Sequence, residues 1–360
     1  MTRRQRAVVA AWLAAGAMLA LGGCAQHAPG PGYYWQSVTG HLGVMRAARP
    51  IDDWLADSTT PDALKSRLRR AQAIRDYAST ALALPDNASY RRYADLGRRA
   101  VLHNVVAAPA LSLQLQTWCF PVAGCVAYRG YYDEADARAF AASLDPALEV
   151  TVYPVFAYST LGWTNWLGGD PLLNTFLPYP VGEVARTVFH ELAHQVVFVA
   201  GDTVFNESFA TAVERLGGDR WLAEQATDAE RAEYARFDER RRAFRALTAR
   251  TRERLQAIYA DAALDDAAKT ARKTEAMAAF RADYERLKAG WGGFAGYDGW
   301  VARANNASFA TQALYDGLVP GFVALFEREG RDFARFYDAV RRLAERPLND
   351  RHAALRALAP

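Results

Sequence analysis

Cysteine and histidine are both scarce in this chain, with three and six among 360 residues. Three cysteines cannot build a disulfide-rich scaffold, and no G-x-S-x-G elbow is present to support a serine hydrolase. Long hydrophobic runs are missing too. The apolar run from Ala7 to Leu21 carries no charge but is short and rich in alanine and glycine, which excludes a comfortable transmembrane span. Net charge is also small: of 43 basic residues three (Arg3, Arg4 and Arg6) precede Cys24, leaving 40 against 40 acidic ones. That balance excludes nucleic-acid binding as the expected role. The run Arg240-Arg241-Arg242 is mixed with Asp238, Glu239 and Glu253 and reads as a solvated helix face. There is no internal repeat, and no low-complexity tract beyond an Ala/Arg bias.

What is present begins with a basic start and an apolar run, the pattern of a secretory signal over 1–23. Leu21-Gly22-Gly23-Cys24 resembles a bacterial lipobox, in which the cysteine is lipidated and becomes the mature N-terminus. The other reading is an ordinary signal with an incidental cysteine. Lipidation of Cys24 would anchor residues 24–360 in the bacterial cell envelope, facing the periplasm, with the outer membrane the expected site. Cys119 and Cys125 then remain as a pair in an oxidising compartment, with five residues between them that a disulfide could close. The alternative, a second metal site, has no nearby histidine but His103. With the pair joined no thiol is left for a cysteine hydrolase.

The richest stretch is Thr187-Val188-Phe189-His190-Glu191-Leu192-Ala193-His194-Gln195. Residues four apart on a helix lie one above the other, so His190 and His194 point the same way and can share one Zn²⁺. Glu191 can reach a water on that ion. Val184, Val188, Leu192 and Val196 form an apolar stripe, with Pro180 before the helix and Gly201-Asp202 expected to end it. Thirteen residues after His194 stands Glu207, in Asn206-Glu207-Ser208-Phe209-Ala210. Asn206 reads as the N-cap of a second helix, with Glu207 in its first turn and Gly217-Gly218 closing it. Two histidines and Glu207 make a His₂Glu set with one open position. Alternatively Glu207 only complements the helix dipole, and Glu214 or Asp202 competes as third ligand.

A HExxH helix followed by a helix carrying N-E-x-x-A resembles the gluzincin metallopeptidases. The resemblance implies that His190, His194 and Glu207 bind one zinc and that Glu191 is the general base. The gap between the two motifs is shorter here than in most gluzincins. Several stretches also resemble a family of bacterial lipoproteins described as predicted aminopeptidases: Trp118 to Gly130 (W-C-F-P-V-A-G-C-V-A-Y-R-G), Tyr158 to Trp163, the HELAH pentad with NESFA, and Asn305-Asn306-Ala307. This implies an α-dominated α+β, zincin-like metallopeptidase with a small β-sheet, a HExxH active-site helix and a long helical hairpin. The implied substrate is a peptide or protein, and the implied membrane contact is the lipid anchor. No G-A-M-E-N-like signature supplies an acid for a substrate's α-ammonium. Endopeptidase action, hydrolysis of peptidoglycan peptides and a non-catalytic zinc-binding lipoprotein therefore stay open beside aminopeptidase. Tyr297 and Tyr315 are the expected oxyanion donors.

Elsewhere the pattern reads as helical and amphipathic from about Ile51 to Ser112, with Pro85-Asp86-Asn87 as the main break, which would put His103 on a helix face. It reads as strand over Val126–Tyr132 and Glu149–Tyr158, one of which would be the substrate-binding edge. Residues 161–179 read as an ordered loop over the site, because they hold Trp163, Trp166, Leu172, Leu173 and Phe176. Two antiparallel helices are expected over 228–290, with a break near Asp261 to Asp266.

Overall fold

The computed structural model describes residues 30–359 except 121–123 and 164, and of 313–316 the backbone alone. The signal segment and Cys24 lie outside the described residues. The chain runs α1 (Pro31–Ala47), β1 (Ala48–Pro50), α2 (Ile51–Ala56), α3 (Asp62–Thr80), β2 (Arg92–Ala94) and β3 (Leu102–Pro109). Next come β4 (Trp118–Phe120), β5 (Gly124–Val126), β6 (Arg129–Tyr131), α4 (Glu134–Ala142), β7 (Leu148–Val155) and β8 (Leu172–Leu173). Helices complete it: α5 (Val181–Ala193), α6 (Thr203–Gln225), α7 (Asp228–Ala260), α8 (Asp266–Gly290), α9 (Asp298–Arg303), α10 (Asn306–Asp316), α11 (Val319–Arg328), α12 (Phe333–Ala344) and α13 (Leu348–Leu358). This is a helix-dominated α+β chain with three small sheets, ordered β1-β2-β8, β6-β3-β7 and β4-β5. Among the described residues no helix is long and apolar enough to cross a membrane.

Helix does not fill 51–112 as the pattern led us to expect. α3 ends at Thr80, and Leu102–Pro109 is the middle strand of a sheet, paired antiparallel with β7 from Leu102↔Val155 to Pro109↔Leu148. Val105, Val106, Ala107 and Ala108 are all buried. A strand covered on both faces loses the alternation that marks a half-buried one, so its apolar run mimics a buried helix. His103 thus stands on a strand, 3.5 Å from Glu134.

The main core is built on α5 and α6, where Val188, Phe189, Leu192, Phe205, Phe209, Val213 and Trp221 pack with α11 and α12. Each such fully buried large side chain contributes about 1.5–3 kcal/mol relative to exposure. Gly217 and Gly218 do not close α6, which continues to Gln225. A Cβ on Gly217 would come within 2.7 Å of Leu82, and one on Gly218 within 2.6 Å of Cγ of Arg186. These glycines let α5 and the turn that follows α3 approach α6 closely, a tertiary use that local turn rules cannot see.

A second core joins α7 and α8 to α10 through Phe244, Phe280, Tyr284 and Phe309. Asn305 caps α10 by accepting from Ser308 N at 3.1 Å, while Asn306 donates to the carbonyls of Pro109 and Ala110. The Asn-Asn-Ala stretch therefore fastens this helix to the end of β3.

Candidate metal centre

Pro180 precedes α5 and Glu183 lies in its first turn, which complements the helix dipole. The helix stops at Ala193 rather than running on to Gly201-Asp202, and His194 is its C-cap residue. The next amides turn back tightly, Gln195 N to Leu192 O at 3.0 Å and Val196 N to Ala193 O at 2.9 Å. Gln195 is drawn outward by Asn87 at 2.7 Å and Ser89 at 3.2 Å.

The cap of α6 is Asp202, whose Oδ1 accepts from Phe205 N at 3.1 Å. Asn206, expected there, lies inside the helix and bonds both the N–H and the C=O of Val199 at 2.8 Å. Glu207 is thereby presented from the second turn, not the first. Asp202 is engaged elsewhere, by His352 at 2.9 Å and Arg351 at 3.1 Å, and takes no part in the centre.

His190, His194 and Glu207 come together, with one ligand-capable atom from each lying within 4.8 Å of the others. Nε2 of His190 is 3.2 Å from Nε2 of His194, and Oε2 of Glu207 is 3.4 and 3.8 Å from those two nitrogens. Tetrahedral zinc with bonds near 2.0–2.1 Å separates neighbouring ligands by about 3.3 Å. The donor set fits such an ion in spacing and in chemistry.

Behind these three side chains lies a partner that the sequence marked only as a competing ligand. Glu214, two turns beyond Glu207, accepts from Nδ1 of His190 at 3.0 Å and from Arg186 at 2.7 Å. Arg186 also donates to the Tyr234 hydroxyl at 2.6 Å. Arg186 precedes His190 by one helical turn, and Glu214 follows Glu207 by two, so each pair shares a face; that spacing was the available signal. His194 has no such support, since its buried Nδ1 finds no hydrogen-bond partner among the described residues.

Protonation follows from burial and from these neighbours. Burial alone would lower the His190 pKa, but the hydrogen bonds to Glu207 and Glu214 outweigh it and hold it well above the ordinary value. Burial takes His194 down to about 4, against the pull of Glu207. Glu207 and Glu214 stay below the usual carboxylate range despite burial, Glu207 held by both histidines and Glu214 by Arg186 and His190. Glu191 differs: burial, reinforced by Glu207 and Asp170 against His190, pushes it up to about 7. A half-buried carboxyl near neutrality beside these three side chains is suited to proton transfer.

Two cavities meet these side chains. One of about 660 Å³ is lined by His190, Glu191, Glu214, Tyr153, Phe156 and Tyr297. Val155 and Phe156, at the end of β7, form part of its wall, and β7 is an edge strand. The other, about 470 Å³, reaches Glu207 between Tyr34, Phe120, Tyr128, Leu161 and Phe198. Tyr297 lines the first but is stacked on Phe244 at 4.0 Å, and the side chain of Tyr315 lies outside the described residues. Tyr128, missed as a donor although it stands in the C-V-A-Y-R-G stretch, is half-buried where desolvation raises its pKa and Glu207 and Glu191 raise it further. Cys119 and Cys125 are joined by a disulfide across the β4–β5 hairpin, whose Phe120 and Val126 wall the second cavity.

A protein-family model described as "Putative aminopeptidase" matches residues 32–355. No curated protein and no solved structure matches the chain.

Proposed function

Because the chain belongs to the family whose description is "Putative aminopeptidase", we propose that it is a zinc-dependent peptidase of zincin-like fold. In this reading one Zn²⁺ is held by His190, His194 and Glu207, and the protein works in the bacterial envelope, anchored through Cys24. The observation that carries it is the convergence of three ligand-capable atoms beside the largely desolvated carboxyl of Glu191, which is not among them. A purely structural ion would have no use for that fourth group.

When bound, zinc would acidify a water and polarise the carbonyl of the scissile bond. The Glu191 carboxylate accepts the proton of the attacking water and then delivers it to the leaving amine. Glu214 and Arg186 hold His190 with its Nδ1 protonated, which leaves Nε2 as the ligand. The Tyr128 hydroxyl donates to the oxygen on which charge develops.

A second reading, endopeptidase, is favoured by the acids that line the two cavities. Glu183 pairs with Arg241 at 2.6 Å, Glu214 with Arg186, and Asp202 with Arg351 and His352. Among the described lining residues that leaves no spare carboxylate for a substrate's α-ammonium. Zinc-loaded protein should be given matched peptides with free and with acetylated N-termini. Cleavage confined to the free set supports an aminopeptidase, and equal cleavage supports the second reading. No cleavage of either set, by protein carrying zinc, would refute both.

A further inference from the structure

Ten large apolar side chains are exposed among the described residues, and seven of them fall in two segments. Tyr34, Trp35, Val38 and Leu42 stand on α1; Trp163, Trp166 and Leu167 stand on the turn before β8. Trp35, Trp163 and Trp166 are 72, 65 and 81 % exposed, values that leave most of each indole in solvent.

The two segments lie side by side. Tyr34 and Leu161 line one cavity, the Tyr158 hydroxyl and His41 Nδ1 are bonded at 2.9 Å, and Arg92 bridges the carbonyls of Met45 and Leu167. Residues 30–50 contain no acid and only Arg46 and Arg49, while 159–169 contain no charge of either sign. A scatter of surface hydrophobics needs no explanation, but three exposed tryptophans on two adjoining segments without an acidic residue do.

We propose that this face docks on the interfacial layer of a lipid bilayer. Indole and phenol rings partition to the headgroup level, where an apolar body and a polar edge are both satisfied. At the C-terminal end of α1 stand Arg46 and Arg49, which an anionic surface attracts, while Asp95, Asp133 and Asp136 lie across the neighbouring cavity on its other side. The chain outside the described residues leads to the same place: α1 begins seven residues after Cys24, a span of at most about 25 Å when fully extended. That last argument rests on the lipidation of Cys24; the face itself and the experiment do not.

The test uses residues 25–360, which retain all of the described structure and cannot carry a lipid at Cys24. Its flotation with vesicles of phosphatidylethanolamine and phosphatidylglycerol is compared with that of Trp35→Ser/Trp163→Ser/Trp166→Ser and of Leu348→Ser, an exposed leucine elsewhere. Binding by the parent and by Leu348→Ser, with a loss of about tenfold or more in the triple variant, is the expected result. In parallel, lipids brominated near the glycerol backbone should quench part of the tryptophan emission of the full chain in vesicles. The proposal is overturned by a parent that does not float, by equal binding of the triple variant, or by absent quenching. It is equally overturned if the triple substitution merely converts a dimer to a monomer without changing flotation, since the face would then be a contact between copies.

Discussion

His190 donates through Nδ1 to Glu214 at 3.0 Å, and Glu214 is held from its other side by Arg186 at 2.7 Å. One face of the imidazole ring edge is thereby fixed by a carboxylate, and the opposite nitrogen is aimed at His194 and Glu207.

In the proposed centre Glu214 positions His190 rather than binding the ion. Glu214→Gln should retain the fold and weaken zinc binding by about 10- to 100-fold, the usual cost of losing a partner behind a metal-bound histidine. Glu207→Ala should lose more. Competition with a chelator of known affinity gives both values, and the reverse order would make Glu214 the third ligand.

The close approach of α5 to α6 depends on Gly218. An alanine there would gain about 1 kcal/mol in helix propensity. It would also press on Cγ of Arg186, which Glu214 and Tyr234 hold in place, and such overpacking costs about 1–3 kcal/mol. Gly218→Ala should therefore lower the thermal midpoint and also weaken zinc binding. Gly290→Ala, where nothing lies within 4 Å, should do neither.

The Cys119–Cys125 link closes a short loop, so its loss should cost about 2 kcal/mol of stability. Gly124 is seated against the backbone of Gly201, near the start of α6, which ties the hairpin to the helix bearing Glu207. Non-reduced peptide mapping should find the two cysteines linked. Free thiols at both positions, or an unchanged denaturant midpoint in Cys119→Ser/Cys125→Ser, would contradict this.

Much of this arrangement was legible because it is local. The spacing of His190 and His194 puts them on one helix face whatever the fold, and Glu207 follows among apolar residues, Phe205, Phe209 and Ala210, that had to be buried nearby. What the sequence hid is tertiary. Gly217-Gly218 looks like a helix stop until Leu82 and Arg186 are seen against it. Asn206 looks like a cap, yet its side chain is spent on Val199 while Asp202 takes that role. Val105 to Ala108 reads as helix because burial on both faces of a strand erases the alternation. Tyr128 could not be told from sixteen other tyrosines until its place between β5 and β6 put it in the wall of the cavity that reaches Glu207.

The central claim is that Glu191 moves a proton for a metal held by its neighbours. Glu191→Gln keeps the shape of the side chain and removes its basicity, so zinc content and thermal midpoint should be retained. Peptide hydrolysis by the zinc-loaded variant, measured beside the parent on the same substrates, should fall by at least about 10²-fold. Equal rates for the two, at equal zinc content, would contradict the account and leave a metal-binding protein without this catalysis.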